Sequence, residues 1–146
     1  MSPTPIQIGD NPWYPGITSD VYVPDQLIAG NLKLVTENEA RIAPTDVALP
    51  RGTVMGQIKA SGLWVPSVAT ATDGSELPSG VLVDTVKVSS NVQVTGVYVM
   101  GEFNANAITF DPTFGDNLST ALPALNAASR TFGLFFKTAI SAADPT

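Results

Sequence analysis

Residues 49–58 read LPRGTVMGQI, residues 71–80 read ATDGSELPSG, and residues 97–103 read VYVMGEF. Throughout this stretch, which runs from Leu49 to Phe110, short runs of β-branched and aromatic residues are separated by Gly, Pro and Asp. The intervals between these turn residues are too short for helices, and runs of this kind are typical of strands. The stretch therefore predicts a compact antiparallel β domain, around which the rest of the chain is arranged.

The two longest β-prone segments, Gly80–Val88 and Asn91–Phe103, predict the middle of the sheet. In the second segment both faces of the strand carry apolar residues: Val97 and Val99 lie on one face and Tyr98 on the other. This pattern is typical of a central strand buried on both sides. Alternating or turn-bounded runs predict further strands at residues 32–36, 53–60, 63–65 and 131–140, and a polar turn at 37–39.

One short helix is predicted after the loop Asp111–Asp116. Ser119 or Thr120 supplies an N-cap, and Pro123 is tolerated in or before the first turn because the backbone donor there is unpaired in any case. The predicted apolar stripe of this helix consists of Leu118, Leu122 and Leu125.

Residues 1–25 form a head of distinct composition that contains five of the twelve prolines. Because proline fixes φ and lacks an N–H donor, this head cannot be a helix or a central strand. Two isoleucines alternate like an edge strand, and three large aromatic residues follow. We predict an arm that orders on a partner; the alternative is that it packs back on its own domain. The candidate contact residues are Ile6, Ile8, Trp13, Tyr14 and Tyr22.

Length and composition predict one folded domain. A chain of 146 residues buries roughly 68–70% of its unfolded surface, enough to fold without disulfides. The hydrophobic fraction is 44% and the mean hydropathy is +0.18, which indicates either apolar surface reserved for partners or a well-filled core. We place the β-rich domain at residues 26–141 and a frayed tail at residues 142–146.

The composition argues against several classes of function. The chain has no cysteine and no histidine, so thiolate chemistry, the commonest general base and the usual zinc ligand are missing. The net charge is −6 and the seven basic residues are scattered, so we expect no nucleic-acid binding. The sequence has neither an apolar run of about 20 residues nor a secretory signal, so we expect a soluble protein made in the cytoplasm, without a membrane partner.

The carboxylates are the remaining candidates for chemistry. Asp73-Gly74 and Asp111-Pro112 are turn dipeptides, and acid–base work would need a carboxyl group of raised pKa in a sugar-sized cleft. A calcium site in the loop Asp111–Asp116 would lack EF-hand spacing. We therefore expect no enzyme activity, no cofactor and no metal site.

Seven blocks of the chain resemble, in the same order, those of the lambda-type bacteriophage head decoration proteins. They read DQLIAGN at 25–31, VTE at 35–37, LPRGTVMG at 49–56, ATDGS at 71–75, GVL at 80–82, VYVMGEFN at 97–104 and RTFGLFFK at 130–137. Each block is short, but together they extend over about residues 25–140.

This resemblance implies a mainly β fold with one short helix, assembled as a homotrimer with a mobile N-terminal arm. It implies a late structural protein of the virion, a capsid decoration (cement) protein. Such a protein binds the major capsid protein on the outside of the expanded head, at three-fold and quasi-three-fold sites, and stabilises the lattice. In the family the arm adds to a coat-protein sheet, which makes Ile6 and Ile8 the candidates for strand addition.

Two other functions remain open from the sequence. A glycan- or receptor-binding module on the virion surface would use Trp13, Tyr14 and Trp64 as exposed sugar platforms, although Trp64 is more typical of a core or subunit contact. A small trimeric hydrolase would use Asp73 or Asp111.

Overall fold

The computed structural model describes residues 26–138, which form a β-rich domain with one short helix, as predicted. The elements are β1 (Val35–Ile42), β2 (Val54–Gln57), β3 (Trp64–Pro66), β4 (Gly80–Leu82), β5 (Gln93–Asn104), α1 (Leu118–Ser129) and β6 (Leu134–Lys137). Two 3₁₀ turns, Pro112–Phe114 and Arg130–Phe132, flank the helix. No helix within residues 26–138 has the length and apolar character needed to cross a membrane.

Five of the strands close into a small barrel. Their order is β1-β3-β2-β4-β5, and β5 pairs back with β1. All pairings in this ring are antiparallel except one. Strands β1 and β3 are parallel, and they pair only at Ile42 and Trp64. Outside this ring, β6 runs parallel to the C-terminal end of β5, from Gly101 to Asn104.

Alternation along the ring strands divides the core into two clusters. In β2, Val54 and Met55 are both buried but belong to different clusters, and in β4 Val81 and Leu82 divide in the same way. One cluster lies between the sheet and the helix; it includes Leu27, Val54, Val81, Phe103, Phe114, Ala121, Leu125, Leu134 and Phe136. The other fills the inside of the ring and consists of Ala40, Ile42, Leu49, Met55, Trp64, Leu82, Val86 and Val97.

The longest strand, β5, is central as predicted, since it pairs with β1, β4 and β6. Burial on both of its faces is confirmed only in part. Phe103, at the C-terminal end, lies in the cluster under the helix, whereas Val94, at the other end, is 64% exposed. The cluster that includes the helix residues Ala121 and Leu125 thus takes in Phe103 but not Val94.

The predicted turn at residues 37–39 is wrong, because β1 continues through it. The pairing of β1 with β5 shifts register twice, and one of these shifts lies between Glu37 and Ala40. The polar residues there form a bulge, and their side chains are exposed. The predicted strand Gly80–Val88 is also too long, since β4 ends at Leu82 and Val86 makes only an isolated bridge with Leu49.

The helix begins one residue before the predicted caps. Asn117 is the N-cap and Thr120 completes a capping box with it. Pro123 lies inside the helix rather than in its first turn. Ala121 and Leu125 form the buried stripe, while the predicted Leu118 and Leu122 are half-buried at its margin.

A side chain of the helix closes the outer edge of β6. The Asn126 amide donates to the Phe136 carbonyl at 2.9 Å and accepts from the Phe136 N–H at 2.9 Å, as a neighbouring strand would. The Ser129 hydroxyl donates to the Leu134 carbonyl at 3.0 Å. Since unpaired edges invite further strands, these contacts block pairing along β6.

Candidate functional site

The predicted contact residues Ile6, Ile8, Trp13, Tyr14 and Tyr22 lie outside the described residues. What the structure does describe is the junction where the head joins the domain. Residues 27–29 lie antiparallel to the end of β5 through the pair Ile28 and Phe103. The Asn104 N–H donates to the Leu27 carbonyl at 2.8 Å, and the Ala29 N–H donates to the Glu102 carbonyl at 2.9 Å.

Glu102 fastens this junction with its side chain as well. Its carboxylate accepts a hydrogen bond from the Leu32 N–H at 3.1 Å and forms an ion pair with Lys137 of β6. The hydrogen bond from Lys137, followed by that from Leu32, lowers the pKa of Glu102 below its usual value. The carboxylate therefore stays charged at neutral pH and links the first described segment to the last strand.

Gly30 is required by this arrangement. A Cβ atom at residue 30 would overlap the carboxylate and the Cβ of Glu102, so any larger residue would displace the acidic side chain. The constraint is the space beside Glu102 rather than backbone conformation. Gly30 therefore supports the junction by leaving room for the ion pair.

Both ends of the described chain lie at the same end of β5. The Asn104 N–H bonds to the Leu27 carbonyl, and the next residue, Ala105, donates its N–H to the Lys137 carbonyl at 2.8 Å. Residues 1–25 and 139–146 therefore join the domain through segments that contact Asn104, the last residue of β5, and Ala105, which follows it. A partner bound at the head junction would lie close to the C-terminal junction too.

The carboxylates weighed as catalytic residues have roles in turns. Asp73 accepts hydrogen bonds from the hydroxyl and the N–H of Ser75, and these lower its pKa, the opposite of what a general acid needs. Asp111 caps the first 3₁₀ turn by accepting from the Thr113 N–H at 2.9 Å. Both findings confirm the interpretation of these residues as turn formers. Among residues 26–138, no group of three or more acidic side chains is placed to hold a metal ion.

Trp64 does not form an exposed sugar platform. Its side chain is 3% exposed and packs inside the ring with Met55 and Val97. This confirms the interpretation of Trp64 as a core residue and contradicts its proposed use in glycan binding, because stacking on a sugar requires an accessible ring face.

The sequence-based predictions missed the junction residues Glu102, Gly30 and Lys137. The only signal for them was that DQLIAGN, VYVMGEFN and RTFGLFFK all occur among the family-like blocks. The structure brings these three blocks together around the end of β5.

Comparison with known families agrees with this geometry. The family model for the bacteriophage lambda head decoration protein D matches residues 16–129, which is most of the chain and includes the head junction. No curated protein matches the chain significantly.

Proposed function

The chain belongs to the bacteriophage lambda head decoration protein D family, and we propose that it binds the expanded phage head at three-fold and quasi-three-fold sites and stabilises the coat-protein lattice. A role in capsid decoration, and with it a place on the virion capsid, follows from the family. The protein would act as a homotrimer, with the major capsid protein as its partner. The family match is the observation that carries this proposal.

The distribution of strand edges supports an arm-based mechanism. Along β6 the side chain of Asn126 occupies the edge, so the domain does not offer this strand for pairing. The Ile6-Gln7-Ile8 segment of the head has the alternation needed to add a strand to a coat-protein sheet. Trp13, Tyr14 and Tyr22 would add apolar contact area, since aromatic residues are enriched at interface cores.

Three arms per trimer make such a contact effective. Ordering one arm costs about 2–5 kcal/mol of the gross interaction energy. Once the first arm is bound, the second and third bind at high effective concentration, which offsets this cost. Because the trimer binds the expanded lattice and not the unexpanded one, it stabilises the expanded form by mass action.

Co-sedimentation with expanded and unexpanded heads tests the proposal. The full chain should bind expanded heads, a chain lacking residues 2–15 should not, and light scattering should show both to be trimers. A chain lacking residues 142–146 is the matched control and should still bind. If the chain without residues 2–15 binds as tightly as the full chain, the arm mechanism is wrong.

A further inference from the structure

The large apolar side chains that are exposed among residues 26–138 form two groups, at opposite ends of the ladder between β1 and β5. The first group, here called the valine patch, consists of Val47, Val88, Val92 and Val94. The second group, here called the Phe132 patch, consists of Leu34, Val35 and Phe132. Single exposed apolar residues are ordinary on a protein surface, but groups of them mark contacts with other proteins.

The valine patch lies at the N-terminal end of β5. Val94 is 64% exposed there, and the side chain before it, Gln93, donates to the Lys87 carbonyl at 2.7 Å. This bond brings Val88 to the same end of the strand. Isolated bridges on either side of Val47 place it opposite the segment that contains Val88. The exposed valines therefore project from one end of the domain.

The Phe132 patch lies around Met100, about 20 Å further along β5. Val35 is the ladder partner of Met100. The Gly101 N–H donates to the Gly133 carbonyl at 3.1 Å, which places the exposed ring of Phe132 beside the same part of the strand. The two patches are therefore separate surfaces of one domain.

The Phe132 patch borders an open cavity of about 330 Å³. Phe132 lines this cavity together with Leu77 and Val99, and the charged residues Glu37 and Lys59 line it as well. The volume lies in the range of pockets that bind small ligands, so apolar side chains of a partner have room to enter. One patch thus projects from the surface and the other is hollow.

The charged side chains beside the two patches are complementary. Arg41 is the ladder partner of Val94, and Asp46 precedes Val47 in the chain, whereas Glu37 and Lys59 lie at the cavity. All four charged side chains are exposed, and none has an ion-pair partner among residues 26–138. Each patch therefore has both signs of charge at its rim, and opposite charges can meet when one patch packs on the other.

We propose that the valine patch of one copy packs on the Phe132 patch of the next copy and enters its cavity, and that three such contacts close a ring. A contact between two different surfaces is heterologous, and its repetition closes a ring when the rotation permits. Each copy in such a ring needs two contact surfaces, which matches the two exposed patches. A two-fold contact between like patches would leave the other patch exposed. The inference rests on the homotrimer of the proposed function and adds the surfaces that form it.

This contact would place the head junction of each copy near a boundary between copies. Met100 lies four residues before Asn104, where the head joins β5, which corresponds to about 13 Å. Val94 lies ten residues before Asn104, or about 33 Å. The head would therefore leave the ring beside the Phe132 patch, uncovered by the contact and free to reach the capsid.

Analytical ultracentrifugation of the full chain without capsids, over a range of protein concentrations, tests the proposal. Val94→Asp and Phe132→Asp each place a charge in the contact. Each should raise the concentration at which half of the trimer dissociates by at least about tenfold. Ala124→Asp adds the same charge to an exposed helix position outside both patches and should leave this concentration unchanged. Far-UV circular dichroism shows whether the variants keep the fold.

Thiol cross-linking identifies the two contacting surfaces directly, because the chain has no cysteine of its own. A short bismaleimide should link a mixture of Val94→Cys and Leu34→Cys chains into covalent dimers, whereas either variant alone should stay unlinked. The Val94→Cys/Leu34→Cys double variant should give covalent trimers and nothing larger. This test does not depend on whether Phe132→Asp folds.

The proposal is overturned if either Val94→Asp or Phe132→Asp forms trimers as readily as the wild type, since the contact buries both patches. Cross-linking of Val94→Cys alone, or none in the mixture, also overturns it. A monomeric wild type would refute the homotrimer as well.

Co-sedimentation with expanded heads separates this inference from the proposed function. Rings that close through the two patches but do not bind expanded heads would refute the capsid function alone. Chains that bind expanded heads but form trimers through other surfaces would refute the inference alone.

Discussion

Replacing Asn126 by alanine should destabilise the domain by about 1–3 kcal/mol. The side chain makes two hydrogen bonds of 2.9 Å to the backbone of Phe136, and each such bond contributes about 0.5–1.5 kcal/mol net. Alanine removes both bonds and leaves a partly buried N–H and carbonyl on β6 without their partner. For a chain of 146 residues this corresponds to a fall in Tm of roughly 3–12 °C.

Urea unfolding and thermal melts at one fixed protein concentration measure this effect, since the Tm of an oligomer depends on concentration. Asn91→Ala removes the same chemical group from an exposed turn and should change stability by less than about 0.5 kcal/mol. Asn126→Asp separates the two hydrogen bonds, because it keeps the acceptor for the Phe136 N–H but places a second oxygen against the Phe136 carbonyl. It should be at least as destabilising as Asn126→Ala at pH 7.

The Asn126→Ala variant should also self-associate more readily, because it exposes the backbone of β6 as a free edge. Light scattering at equal concentrations of folded protein detects this. If Asn126→Ala is as stable as Asn91→Ala and no more prone to associate, then the amide does not protect the edge and the reasoning fails.

Further variants test the junction, the core and one close approach of the backbone. The lowered pKa of Glu102 stabilises the folded state above the usual pKa of 4.5, and this contribution is lost as pH falls through the lower folded value. The stability lost in Glu102→Gln should therefore be largest at neutral pH and shrink below about pH 4.5. A loss of stability that does not vary from pH 7 to pH 3 would contradict this. Leu125→Ala, at a fully buried site under the sheet, should cost about 2–5 kcal/mol in urea unfolding, against less than about 1 kcal/mol for Leu34→Ala, which is 38% exposed. Gly56→Ala places a Cβ against the backbone of Ser75 in the neighbouring loop and should lower the stability more than Gly62→Ala. At Gly62 the Cβ meets nothing, and only the φ of +71° costs about 1–2 kcal/mol of stability. Equal losses of stability would show that the loop moves away freely.

Local sequence patterns predicted those parts of the fold that depend on alternation and turn chemistry. The central strand β5 and the buried face of β6, with Leu134 and Phe136, follow from a period of two. The turn glycines Gly52 and Gly74 have φ values of +89° and +105°. Glycine adopts a positive φ more readily than other residues, so Gly-containing turns can be predicted from the sequence. These features depend on residues close together in the sequence.

Features that depend on distant residues could not be predicted in the same way. Glu37 to Glu39 have the composition of a turn, and only pairing with β5, some 60 residues later, holds them in a bulged strand. The carboxylate of Glu102 meets the Leu32 N–H across 70 residues of sequence. The parallel pairing of β1 with β3, which meet at the single pair Ile42 and Trp64, leaves no mark in any local pattern.

The junction also shows how a force on the head would reach the domain. Pulling on residue 26 loads the hydrogen bonds of Leu27 and Ala29 to β5, and the Glu102 carboxylate shares that load with Lys137 of β6. Further along, β5 pairs with β1 and β4, so the load passes directly into both sides of the ring. In the function proposed above the head is an attachment point to the capsid, so the domain has to bear a load on the head without unfolding. Attachment of the head to the longest and most extensively paired strand meets that requirement, whereas attachment to a three-residue strand such as β4 would not.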